Sequence, residues 1–291
     1  MDAFRNFRGT ETIIVEQIYG GKNPRSWQVF VASVAFACLA IGASRRIFDH
    51  AQGAISIFLC VLGLMPTLAN LMDFRAQRRG WENEGLAPPM GGRTSRNLAI
   101  SILALFSGVM LTYGAWVLLL PVEESTSAFN TQLSPWLGMA EPGFHAGSFP
   151  GILANNLLVG LGILILTLLY RNGGALLVLC WNASVWGAAF AYFARLQFGD
   201  GGAAIGGWLA LSAAVFPHVL LEATGYVLMV LVGMFALRII VRYRDPALDR
   251  ASLLRGTTRL FGLGLVVLIV AALVETVLAP GLVEGLSGGR G

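Results

Sequence analysis

The chain has 291 residues, of which 56% are hydrophobic and only 12% charged, with a mean hydropathy of +0.69. A soluble domain carries roughly 25% charged residues, so a water-soluble globule is excluded and an integral membrane protein in a lipid bilayer is implied. The net charge of +4 comes from arginines that are not interleaved with exposed aromatics, so no nucleic-acid partner is expected.

The first 26 residues are polar, mixed in charge and lack the apolar stretch of a cleavable signal. A spanning helix needs about 20 apolar residues. Seven segments reach or approach that length: 27–44, 54–71, 98–120, 152–169, 175–194, 216–241 and 260–279. The expected fold class is all-α, a single integral membrane domain over 1–291 built as a polytopic bundle of about seven spanning helices. Arg45, Arg46, Asp49 and His50 separate the first two segments, which read as a tight helical hairpin. Residues 72–97 form a long basic connection, and 121–150 a long acidic one with Glu123, Glu124 and Glu141. Both exceed ordinary connection lengths, and each reads either as a partner-contacting loop or as a plain linker. The turn Arg171-Asn172-Gly173-Gly174 makes the fourth and fifth helices an antiparallel pair.

The apolar stretch 201–215 runs straight into Pro217, and with the sixth segment it would make about 40 residues, too long for one span. Proline suits the first helical position and disrupts the interior. Pro217 is therefore expected to start the sixth helix. Residues 203–214 then form a short interfacial or re-entrant helix, or extend the hairpin of the fifth. Cys38, Cys60 and Cys180 fall inside apolar segments without CxxC spacing and read as small buried residues, neither ligands nor a disulfide. Gly160, Gly162, Gly187, Ala191, Gly225 and Gly233 are small residues suited to close helix packing in lipid. The first and second halves do not align as an internal repeat.

Basic residues set the expected orientation. With the N-terminus inside, the segments 1–26, 72–97, 170–174 and 238–259 hold 16 of the 20 basic residues. Positive charge concentrates on the cytoplasmic side, so the expected arrangement is a multi-pass plasma-membrane protein. Residues 1–26 and 72–97 are then cytoplasmic, 121–150 extracytoplasmic, and the C-terminus outside.

The sixth segment carries the most informative pair, His218 and Glu222, one helical turn apart on one face. Ionisable groups within a membrane segment are costly and usually mark a bundle interior, a pathway or a fixed partner. Counted from their helix ends, His218, Glu222, Glu275, Asn155 and Asn156 fall in one outer stratum, while Asn182 lies deeper in the fifth helix. Three readings stay open for this layer: hydrogen bonds that lock helices together, ion or proton chemistry, and a cation shared by His218 and Glu222. A closed zinc site wants four ligands and two are clear here, so no metal is expected. His50 and His145 read as incidental. With no GxSxG, HExxH or Walker motif, the sequence calls for no enzyme and no cofactor.

The run from Asn155-Asn156-Leu157 through Arg171-Asn172-Gly173-Gly174 to Trp181-Asn182-Ala183-Ser184-Val185-Trp186-Gly187 resembles the stage II sporulation protein M family. So do Pro217-His218 with Glu222, and Val274-Glu275 to Ala279-Pro280. The similarity spans roughly 150–280, and its closing helix resembles the versions found in non-sporulating bacteria and archaea; Val219 departs from the glycine that often follows the Pro-His pair. The resemblance implies a polytopic membrane fold without catalytic residues, in which Asn155, Asn156, Asn182, His218 and Glu222 pack helices. The family's namesake is a scaffold that holds peptidoglycan-cleaving enzymes at a septal membrane, so the expected partners are membrane or envelope proteins. The rival expectation is a transporter or channel component, with His218, Glu222 and Glu275 lining an outer vestibule.

Overall fold

The computed structural model describes residues 24–48, 51–71, 93–134, 137, 149–241 and 250–287. Most of the 1–26 segment and of the 72–97 loop, with His50, Glu141 and His145, lies outside the described residues. Among the described residues nine helices follow in order: α1 Ser26–Ile47, α2 Gln52–Leu71, α3 Arg93–Leu119, α4 Val122–Ala128, α5 Asn130–Leu133, α6 Phe149–Tyr170, α7 Asn172–Phe198, α8 Gly202–Val241 and α9 Arg250–Ser287. No strand occurs among the described residues. Six helices (α1, α3, α6, α7, α8 and α9) are long and apolar enough to cross a membrane, and α2 contributes a shorter apolar stretch. The chain is an all-α, multi-pass membrane bundle.

Close approaches fix the helix directions. Ser26 meets Ser101, and Ser33 meets Gly108, so α1 and α3 run parallel. Met110 meets Gly187, and Arg195 donates to the Leu120 carbonyl, so α3 and α7 run parallel too. Phe198 against Gly207 and Trp186 against His218 make α7 and α8 antiparallel. Gly225 on Leu268 and Gly264 on Met229 do the same for α8 and α9. Gly160 on Met229 and Gly233 on Thr167 set α6 parallel to α8. Met65 against Gly173 and Cys60 against Cys180 set α2 antiparallel to α7, so that with α2 counted the apolar helices alternate in direction along the chain.

Helix α7 is the hub, packing against α2, α3, α5, α6 and α8. Its span is 61% buried, against 22% for α9, which packs on α8 and α6 at the edge. Glycine explains how backbones come so near. A Cβ on Gly187 would overlap the Met110 carbonyl oxygen, and one on Gly174 the Leu166 carbonyl. The tight turn before α7 sits at Arg171, with φ 56° and ψ −135°, a conformation ordinarily left to glycine. Gly173 and Gly174, expected in that turn, lie inside α7, where Gly174 allows α6 to approach.

Two expectations are corrected. Residues 202–241 form one 40-residue helix about 60 Å long at about 1.5 Å per residue, so there is no separate helix over 203–214. Pro217 lies inside α8 and does not start it. Proline removes one rung of the hydrogen-bond ladder, but neighbouring helices hold the rest: Trp208 packs on Gly114 of α3, and Val215, His218 and Val219 are buried. The second correction concerns the connection 121–150, whose first part folds as α4 and α5. Phe129 and Leu133 are fully buried there, with the Phe129 ring edge-on to Tyr113 at 5.6 Å. Cys60 and Cys180 are buried as expected, whereas Cys38 is exposed.

Candidate functional site

Two turns of α8 place His218, Glu222 and Tyr226 along one side of the helix, because residues four apart share a side, with Trp186 of α7 against the first two. All three are buried. Tyr226 donates its hydroxyl to Glu222 Oε1 at 2.5 Å, and the Trp186 indole of α7 also approaches the same carboxyl group. The His218 ring stands edge-on to Trp186 of α7, with centroids 5.7 Å apart, and its Nε2 is unpartnered. Glu275, half-buried on α9, is near enough for its charge to act on both Glu222 and Tyr226.

Glu222 lines a cavity of about 650 Å3 that also contains Asn155, Asn182 and Gln132 in its wall. The rest of the wall is mainly apolar, with Ile57 and Phe58 of α2, Val159 of α6, and Trp181 and Trp186 of α7. Helices α2 and α6 both pack on α7, and the cavity lies between them with α5 at one end. Exposed Phe58 puts its mouth on the apolar side of the bundle.

The sequence-derived residues thus separate. Glu222 and Asn155 meet at the cavity as expected of one stratum, and Asn182, expected deeper, joins them there. The Asn182 side chain also donates back to the Val178 carbonyl at 2.9 Å. His218 and Asn156 are buried away from the cavity wall, and Asn156 Nδ2 is unpartnered. Asn155 is the exposed one of the adjacent pair. Among the described residues, no group of three or more His, Cys, Asp or Glu is placed to hold a metal.

Two residues of the site escaped the sequence reading, whereas Trp186 stood in the run that carries the family resemblance, without a role assigned to it. Tyr226 follows Glu222 by the same four residues that separate Glu222 from His218, so that spacing could have found it. Gln132 gave no signal, because it lies in a segment that reads as a polar connection.

A family model described as stage II sporulation protein M matches residues 101–280, more than half of the chain. The match begins in α3 and takes in α4 and α5, where the sequence resemblance began only near 150. No curated protein and no solved structure matches the chain.

Proposed function

The chain belongs to the stage II sporulation protein M family, and from that premise we propose that it is a non-enzymatic membrane scaffold that assembles with other envelope proteins. Family membership supports the reading, and so does the bundle's outer surface. Gly42 of α1, Gly162 of α6 and Gly262 of α9 face open space, with no atom within 4 Å of where a Cβ would stand. Lipid needs no such notches, whereas a partner helix packs more closely over glycine. The arginine distribution supports an N-terminus in the cytoplasm and a C-terminus outside, and the plasma membrane as host is part of the same proposal.

The test is purification of tagged protein from its own membranes in mild detergent, with and without Gly162→Leu and Gly262→Leu. A stoichiometric membrane partner, lost from the variants while their unfolding temperature holds, is the expected result. Recovery of the protein alone in every case would remove the scaffold.

The cavity beside Glu222 supports a second reading, a transporter or channel component. Reconstituted flux that Glu222→Gln abolishes in folded protein would favour it over the scaffold.

A further inference from the structure

The alternating helix directions gather the starts of α1, α3, α7 and α9 and the ends of α2, α6 and α8 at one end of the bundle. At that end the stretch 238–259 holds six arginines and two acids, Asp245 and Asp249, so positive charge is left over whichever pairs form. The acids among the described residues lie elsewhere. Glu123, Glu124 and Asp200 are at the opposite end, Glu222 and Glu275 inside the spans, and Glu284 near the end of α9.

Arg255 and Arg259 stand one turn apart on the same side of α9, and both are exposed. Val266, Leu273 and Val277 continue that side and are exposed too, so it faces lipid and not the bundle. Helix α9 runs antiparallel to α6 with Leu268 against Gly160, and nine residues from that contact Leu169 comes level with Arg259. Arg171, just past α6, is exposed as well, and so is Tyr170. Three guanidinium groups on neighbouring elements therefore share one depth, at the rim of the apolar spans. Uncompensated charge is costly beside lipid and calls for a counter-charge. A guanidinium group grips two phosphate oxygens at once, and lipid phosphates lie at this depth. A zwitterionic headgroup would bring its own cation among the arginines, whereas an anionic one would not.

We propose that the α6–α9 seam at this end binds an anionic phospholipid, its phosphate held by Arg255, Arg259 and Arg171 and one acyl chain laid along Val266 and Leu273. Charge complementarity selects the headgroup, and the exposed apolar side of α9 takes the chain. The inference does not rest on the scaffold, since its ligand is a lipid and not a protein.

Full-length protein in an uncharged detergent is titrated with phosphatidylglycerol and, separately, with phosphatidylcholine of the same chains, and native mass spectrometry counts the bound lipids. The expected result is one phosphatidylglycerol bound at least about tenfold more tightly than phosphatidylcholine. Arg255→Gln combined with Arg259→Gln brings the two lipids within about threefold of each other, and Arg171→Gln alone lowers the preference. Arg93→Gln combined with Arg96→Gln removes the same charge from the same end, at α3, and leaves the preference unchanged. All five side chains are exposed, so each variant is expected to unfold at the parent's temperature. Equal binding of the two lipids, or equal loss in both double variants, would overturn the proposal, the second by showing a diffuse field in place of a site. So would a preference that survives either the α9 double variant or Arg171→Gln. Displacement of the lipid by equimolar glycerol phosphate, which has no chain, would do the same.

Discussion

Two buried tyrosines show how differently one bundle treats the same hydroxyl group. Tyr113, between α2 and α3, meets Ser56 Oγ at 2.7 Å, and Ser56 in turn donates to the Gly53 carbonyl at 2.8 Å. Gln132 donates to that carbonyl as well, so two side chains close on one backbone oxygen and Tyr113 joins them through Ser56. Tyr226, on α8, donates to the Glu222 carboxyl group, which the Trp186 indole of α7 also approaches, beside a histidine Nε2 without a partner. The first arrangement gathers neutral groups around one backbone carbonyl and joins helices. The second gathers ionisable groups beside a cavity.

Neighbouring positions 53 and 54 give the largest contrast. A side chain on Gly53 would overlap Gln132, so Gly53→Val should destabilise by about 3 kcal/mol, overpacking and a lost hydrogen bond acting together. Ala54→Phe, one residue on, extends into the cavity and should cost under about 1 kcal/mol. Thermal unfolding in detergent micelles compares them directly, and equal losses would erase the distinction. Next come the tyrosines. Tyr226→Phe strips Glu222 of its hydrogen-bonded partner and should cost about 2 kcal/mol, while Tyr113→Phe should cost about 1, because Ser56 keeps the Gly53 carbonyl. Combining Tyr226→Phe with Glu222→Leu should recover most of the loss, since removing both partners is nearly neutral. A double-mutant cycle reads that coupling, and strict additivity would contradict it. The smallest effect belongs to the periphery: Arg45→Ala breaks a 2.6 Å ion pair with half-exposed Glu124 and should cost no more than about 1 kcal/mol, less in high salt.

The long helices were legible because lipid demands uninterrupted apolar runs, and hydropathy measures those directly. What escaped detection was set by neighbours. The segment 122–133 mixes Glu123, Glu124, Ser125, Thr126 and Asn130 with Phe129 and Leu133, so its average is polar although two side chains are core. Its one local mark was Pro121 before two acids, a helix start in which carboxylates favour the N-terminal dipole. Pro217 misled for the opposite reason. Its local rule is sound, but burial against α7 and α3 outweighs one missing hydrogen bond. At the candidate site, helical spacing was enough to pair His218 with Glu222. It could not bring Asn182 and Gln132 to them, because those meetings depend on how α5, α7 and α8 cross.

The length of α8 has a consequence for how far the bundle extends. Forty residues reach about 60 Å, while α6 with 22 residues reaches about 33 Å, close to a hydrocarbon thickness of about 30 Å. A helix longer than the local bilayer tilts, or draws the lipid around it into a thicker annulus, at a fraction of a kcal/mol for each ångström of mismatch. The other spans, at 22 to 28 residues, match an ordinary bilayer, so the excess length of α8 is taken up by tilt or by projection beyond the hydrocarbon, and one end of this helix reaches further from the membrane midplane than its neighbours.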